Sequence, residues 1–280
     1  MLQPKKTAPL GAVFFSAALL LVGCVHAPWR DPLEQAAATA AQAGFELKKT
    51  AAGAFSLTHF LAPGLSGETT LSVYIEGDGA PWTTSTAPPR DPTPTQPMGL
   101  FLALREPRRP LLYVARPCQF LGADELKTCH YRHWTSERYA EAAVAAIDAL
   151  ITRSKQVVGA RQLRLVGFSG GGVIAALIAA RRDDVERLVT VAAPLDTTAW
   201  AQLHDLSPLS ASLNPADFAA ALVGRRQVHL LGEKDSIVPP ASVTALRDKL
   251  PAAKFVVVEG YDHHCCWQAD WPGVLPVEAR

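Results

Sequence analysis

The chain has 280 residues, and its 27 lysine and arginine residues nearly balance its 26 aspartate and glutamate residues. This balance excludes an electrostatic attraction to nucleic acid, because proteins that bind DNA or RNA concentrate positive charge. The length and the 49% share of hydrophobic residues suit one large domain with a sizeable core.

Residues 1–23 have the pattern of a signal peptide. Two lysines precede an uncharged apolar run that is short for a membrane span and ends in small residues. The end of this run, Leu21–Gly23 followed by Cys24, resembles the lipobox of bacterial lipoproteins. The resemblance implies cleavage before Cys24 and attachment of lipid, including palmitate-type acyl chains, to the new terminus. Val25 implies anchoring at the periplasmic face of the outer membrane. An uncleaved anchor helix and an ordinary secretory signal are the alternatives.

The rest of the chain divides into an anchor segment with an N-terminal helix, residues 24–44, and a domain of residues 45–280. In the domain, strand and helix patterns alternate, which favours parallel β-α-β units with right-handed crossovers. Six prolines in residues 81–97 exclude a helix or a central strand there. Segment 195–223 is irregular and is predicted to form a small cap. Together with Trp82 and the proline-rich segment 81–97, it is expected to line the pocket. We expect strands at 45–50, 54–62, 70–79, 110–117, 162–168, 185–194, 227–233 and 254–260, and helices at 31–44, 135–154, 170–181 and 241–250.

The stretch Gly167-Phe168-Ser169-Gly170-Gly171 joins a strand to a helix. This G-x-S-x-G pattern is typical of a nucleophilic serine on a tight turn, in which a side chain at position 167 or 171 would clash. The alternative is a plain glycine-rich turn that binds phosphate. The stretch lacks the Lys-Ser/Thr of a P-loop and the spacing of a dinucleotide fingerprint, so the sequence favours the nucleophile.

From these residues, the chain resembles the α/β-hydrolase fold family, and within it small exported bacterial serine hydrolases, over roughly residues 45–270. The resemblance implies a single domain with a mostly parallel central sheet and helices on both faces. It also implies that the serine is followed by an acid and then a histidine. Asp235 in "GEKDSIVP" matches the acid loop, with Glu233 as a weaker candidate. His263 follows the last strand at the family's offset, and His264 is the alternative.

Asp262, His263, His264, Cys265 and Cys266 are adjacent in sequence. Zinc ligands are spaced by two or more residues, so this run does not predict a zinc site, and we expect no metal or other cofactor. Export permits disulfides. We expect Cys118 to pair with Cys129 across a short loop. A bond between Cys265 and Cys266 would distort the peptide, so the connectivity stays open.

The remaining element is an oxyanion hole. In the family a backbone N–H comes from the loop after the third strand, often in a His-Gly stretch, and here that loop reads Glu76-Gly77-Asp78-Gly79. We nominate the N–H groups of Asp78 and Gly170.

The sequence thus predicts hydrolysis of an ester-type acyl bond in a small molecule, with membrane contact through the N-terminal lipid. A serine peptidase or acyltransferase on the same fold, and a non-catalytic binding lipoprotein, are the alternatives.

Overall fold

In the computed structural model, residues 31–64, 67–80 and 87–279 are described. The predicted signal peptide and Cys24 lie outside these residues. Within them, no helix is long and apolar enough to cross a membrane.

The described residues form an eight-stranded sheet with the order β1-β2-β4-β3-β5-β6-β7-β8. β2 runs antiparallel to β1 and β4, and all other neighbours are parallel. The predicted mostly parallel sheet is therefore confirmed. The strands are β1 Lys48–Ala52, β2 Phe55–Ala62, β3 Thr70–Ile75, β4 Leu111–Val114, β5 Gln162–Phe168, β6 Val185–Val191, β7 Gln227–Gly232 and β8 Lys254–Val258.

Helices cover both faces of the sheet, as predicted. Alternate residues of β3 contribute to two apolar layers: Leu71 and Val73 belong to the layer that contains α4 and α5, and Tyr74 belongs to the layer that contains α2. The helices are α1 Pro32–Gln42, α2 Met98–Arg105, α3 Ala123–Leu126, α4 Glu141–Val158, α5 Gly170–Ala179, α6 Thr197–Leu203, α7 Ala219–Leu222, α8 Thr244–Lys249 and α9 Trp267–Asp270.

The predicted start of the helix at residue 135 was wrong, because α4 begins at Glu141. The carbonyl of Arg138 accepts a hydrogen bond from the Arg116 guanidinium, and the carbonyl of Tyr139 accepts one from Leu213 N. Since these carbonyls are bonded outside the helix, residues 135–140 take a turn conformation instead.

Helix α2 was not predicted. It follows the proline-rich segment directly, and apolar residues surround it on most sides. Its first N–H groups donate to the carboxylate of Glu76, which lies more than twenty residues earlier in the chain. A helix cap supplied from such a distance leaves no local sequence signal.

Cys118 and Cys129 form a disulfide, as expected, with their Cα atoms 6.0 Å apart. This bond ties the loop after β4 to the residues that follow α3.

Candidate active site

Ser169 lies on a tight turn between β5 and α5, with a backbone φ of +49°. A Cβ on Gly167 would lie 2.3 Å from the carbonyl oxygen of Gly171, and a Cβ on Gly171 would lie 2.3 Å from that of Ile75. Both distances are far below van der Waals contact, so the predicted need for glycine at these positions is confirmed. The serine is thereby held at the carboxyl end of the parallel strands, where ligands bind in open α/β sheets.

Ser169, His263 and Asp235 form a hydrogen-bonded chain. The Nε2 atom of His263 lies 3.2 Å from Ser169 Oγ, and its Nδ1 atom lies 2.8 Å from Asp235 Oδ2. An ionised carboxylate only accepts hydrogen bonds, so the proton of the neutral His263 ring lies on Nδ1. The Nε2 atom can then accept a hydrogen bond from the serine hydroxyl. The structure thus brings together the three side chains that the sequence placed in this order.

The carboxylate of Asp235 is buried and held in place by its own loop. Its other oxygen, Oδ1, accepts hydrogen bonds from the backbone N–H groups of Ile237 and Val238 at 2.8 and 2.7 Å. These bonds leave Oδ2 directed at His263. The weaker candidate, Glu233, instead accepts a hydrogen bond from the backbone N–H of Gly260.

His264 is the alternative base, and the structure places it apart from the acid. Its ring packs edge-on against His263 with centroids 5.0 Å apart, while the Asp235 contact belongs to His263. The pKa of His264 is lowered mainly by burial and, to a smaller extent, by the charge of the neighbouring His263. A neutral imidazole therefore borders the site near neutral pH.

The residues around His263 hold its loop rather than a metal ion. Asp262 Oδ1 accepts hydrogen bonds from the N–H groups of His264 and Cys265, and Trp267 donates its indole N–H to the carbonyl of Asp262. Cys265 and Cys266 are bonded to each other, so this pairing, which the sequence left open, is present. Across residues 31–64, 67–80 and 87–279, no three His, Cys, Asp or Glu side chains are grouped to hold a metal.

The loop after β3 carries the nominated Asp78 N–H. Gln119 donates to the carbonyl of Gly77 at 2.9 Å, and Ala80 N donates to Pro92 O at 3.1 Å. The backbone is therefore hydrogen-bonded on both sides of Asp78. Within the described residues, neither Asp78 N nor Gly170 N donates a hydrogen bond to another group. Among the described residues, both nominated N–H groups are thus without a protein acceptor.

The Asp78 side chain packs against the start of α5. A Cβ on Gly170 would lie 1.9 Å from its Oδ1 atom. Arg116 donates to Oδ1 at 2.8 Å, while Arg138 and the hydroxyl of Tyr139 donate to Oδ2 at 3.2 and 2.5 Å. Burial alone would raise the pKa of Asp78, but the two guanidinium groups and the Tyr139 hydroxyl outweigh it and hold the pKa below its usual value.

Glu76, two residues earlier, is buried and has neutral partners. Burial raises the pKa of its carboxyl group, although hydrogen bonds to the carboxylate oppose that shift. Within the described part of the chain, no cationic side chain pairs with it. The donors to its carboxylate, all at 2.9–3.0 Å, are the N–H groups of Gly77, Gly99 and Leu100 and the hydroxyl of Tyr113.

A cavity of about 1020 Å³ opens above Ser169. Residues 94–96 of the proline-rich segment line it, as do Trp200 and residues 206–209 of segment 195–223. Both segments were expected to border the pocket. Trp82, which was expected there too, lies outside the described residues.

The comparisons with known proteins agree with this architecture. Est1E from Butyrivibrio proteoclasticus superposes with a TM-score of 0.55 at 13% identity, over 80% of this chain and 93% of that one. XC6422 from Xanthomonas campestris, described as an α/β serine hydrolase without a lid, gives 0.52 at 14% identity, over 82% and 90%. The chain has the α/β-hydrolase fold. The esterase Pf2001 of Pyrococcus furiosus gives 0.52 at 12% identity, over 80% and 86%.

The sequence matches no protein-family profile and no curated protein. At identities this low, the solved structures establish the fold of the chain and not its substrate.

Sequence reasoning missed the partners of Asp78. Arg116, Arg138 and Tyr139 come from two separate stretches, and their residue types do not distinguish them from surface residues. Arg138 and Tyr139 are adjacent and fall inside the helix predicted at residues 135–154, so no local signal marked them as partners of Asp78.

Proposed function

We propose that this protein is a serine hydrolase that cleaves an ester-type acyl bond in a small molecule. The observation that carries the proposal is the hydrogen-bonded chain from Ser169 through His263 to Asp235, which opens into the large cavity. A serine on a glycine-flanked turn, joined to a histidine that a buried carboxylate orients, is the arrangement that activates a hydroxyl group as a nucleophile.

The reaction follows from these atoms. Ser169 Oγ attacks the acyl carbon while His263 Nε2 takes the hydroxyl proton, and Asp235 stabilises the resulting imidazolium. The carbonyl oxygen, now negative, accepts hydrogen bonds from Asp78 N–H and Gly170 N–H, each worth about 3 to 4 kcal/mol in such sites. His263 passes its proton to the departing alcohol, and the acyl group remains bound to Ser169 as an acyl-enzyme. Water, deprotonated by His263, then releases the acid and restores Ser169.

The proposal includes a membrane location. Residues 1–23 are the proposed signal peptide, and Cys24 is the proposed site of lipid attachment, which would leave the hydrolase on the periplasmic face of the outer membrane. The sequence pattern alone supports this part. Mass spectrometry of the N-terminal peptide from the membrane fraction tests it, since an unmodified Cys24 would exclude the lipid anchor.

A burst experiment tests the reaction. We expect p-nitrophenyl ester hydrolysis to begin with a rapid release of about one nitrophenol per Ser169, followed by slower turnover, because the good leaving group makes acylation faster than deacylation. Ser169→Ala is expected to lose both phases. Equal turnover by this variant and the wild type would contradict the proposal.

The alternative activities on this fold are distinguished by the products. An acyltransferase would give more ester than free acid when a primary alcohol is added at low concentration, whereas a hydrolase would release the acid. A peptidase would also cleave the matched anilide, whereas an esterase would leave it intact.

A further inference from the structure

One wall of the cavity beside Ser169 is apolar and built from two segments. Segment 195–223 contributes Trp200, Leu206 and Leu209, and the loop that carries Asp235 contributes Ile237 and Val238. The two segments are bonded together, because the indole N–H of Trp200 and a ring nitrogen of His204 both contact the carbonyl oxygen of Ile237, at 2.7 and 2.9 Å. The wall therefore has a defined shape next to the reacting serine.

Apolar side chains at this wall are open to solvent. Leu206 is 50% exposed, Ile237 is 45% exposed and Tyr131 is 49% exposed. All three line the cavity. Leu203, which ends α6, is 51% exposed and lies three residues before Leu206. A single exposed apolar side chain needs no explanation, but several around one opening mark a site where an apolar ligand or surface is bound.

The carboxylates and the arginine among the described residues that line the cavity all have partners. Asp78 pairs with Arg138, and Glu76 is satisfied by backbone N–H groups and a tyrosine hydroxyl. The pKa of His264 is lowered by burial and by His263, so its ring is neutral near pH 7. The described residues that line the cavity thus offer apolar area to a substrate, and none of them is an unpaired charged group.

The cavity is far larger than the smallest acyl groups would fill. At about 1020 Å³ it lies at the upper end of the range for small-molecule sites, roughly 300–1,000 Å³. An acetyl group would leave the apolar wall in contact with water. An unbranched acyl chain of eight or more carbons would cover it.

We propose that the substrate is an ester of a medium- or long-chain fatty acid, with its acyl chain against Trp200, Leu206, Leu209 and Ile237. This inference rests on the proposed serine hydrolase activity and specifies the substrate class of the same site. Each methylene that the wall removes from water raises kcat/KM by up to about fourfold, the equivalent of ~0.8 kcal/mol.

The test is a chain-length series on the full-length protein. The p-nitrophenyl esters of acetic, butyric, octanoic and dodecanoic acid are compared below their aggregation limits, with the detergent held constant. We expect kcat/KM for the octanoate to exceed that for the acetate by at least about 100-fold, less than the ceiling that six methylenes allow. A flat series, or a preference for the acetate, would overturn the proposal.

Variants locate the effect. In Ile237→Ser and in Leu206→Ser, the octanoate-to-acetate ratio is expected to fall at least about tenfold, because each hydroxyl exposes part of the chain to water. Val157→Ser is the matched control, since Val157 is a β-branched side chain, 72% exposed, outside the cavity. Its ratio should equal that of the wild type. Equal ratios in all four proteins would overturn the assigned wall.

Active-site titration with a small ethoxy fluorophosphonate separates the two levels of the proposal. If Ser169 reacts and the chain-length series is flat, only the substrate class fails. If the folded protein does not react at all, the hydrolase proposal itself fails.

Discussion

Glu76 and Asp78 lie two residues apart on the loop after β3, and Glu76 is buried while Asp78 is partly buried at the cavity. The pKa values of the two carboxyl groups are shifted in opposite directions. Neutral donors surround Glu76, and burial raises its pKa. Two guanidinium groups and a tyrosine surround Asp78, and its pKa falls despite burial. The comparison indicates that the partners of a carboxylate set the direction in which its pKa moves.

The two carboxylates also hold different parts of the site. Glu76 joins the loop to the start of α2, while Asp78 joins it to the residues before α4 and packs on Gly170. Because the proposed oxyanion donors are the N–H groups of Asp78 and Gly170, the Asp78 side chain fixes the backbone that would bind the negative oxygen. Glu76 supports the same loop through its hydrogen bonds with the start of α2.

Neutralising each carboxylate without changing its shape gives the largest expected effect. Asp78→Asn leaves Arg116 and Arg138 buried without a counter-charge and should lower the free energy of unfolding by about 3–5 kcal/mol. Glu76→Gln keeps one acceptor and strands no cation, so we expect a loss of about 1–2 kcal/mol. Urea unfolding of both variants and the wild type measures this difference. Equal losses would show that the arginines do not distinguish the two sites.

Two glycines allow each carboxylate to be displaced without mutating it. A Cβ on Gly170 meets Asp78 Oδ1 at 1.9 Å, and a Cβ on Gly99 meets the Cα of Glu76 at 2.8 Å. Gly170→Ala should lower kcat at least about 100-fold, the cost of losing one oxyanion donor. Gly99→Ala should lower stability while kcat stays within about threefold. Comparable kcat values for the two variants would contradict the role given to Asp78.

The pH dependence of stability should have opposite signs for the two groups. Asp78 has a depressed pKa, so its contribution is present above the ordinary value of 3.8 and is lost as the pH falls through the lower folded-state pKa. Glu76 has a raised pKa, so its contribution is present below the ordinary value of 4.5 and is lost as the pH rises through the higher folded-state pKa.

Unfolding free energies of wild type and variant at several pH values test these signs. The advantage of the wild type over Glu76→Gln should decrease as the pH rises above 4.5. Its advantage over Asp78→Asn should be constant there and decrease below 3.8. Two slopes of the same sign would contradict the comparison.

The sequence predicted the strands and the order of the proposed triad because both leave local signals. The glycines around Ser169 and the positions of Asp235 and His263 after their strands can be read within a few residues. The partners of Asp78 cannot, since Arg116 and Arg138 lie 38 and 60 residues away from it in the chain. The start of α4 was predicted wrongly for the same reason, because Arg138 and Tyr139 are bonded to Asp78 on the loop after β3.

The central claim is that Ser169 is activated by His263, and intact mass after treatment with a fluorophosphonate probe tests it most directly. We expect one covalent adduct on the wild type and on His264→Ala, and none on Ser169→Ala. The reaction of His263→Ala with the probe should be slower by at least about 100-fold, since the hydroxyl loses its base. A well-folded wild type without an adduct, or His263→Ala reacting at the wild-type rate, would contradict the account.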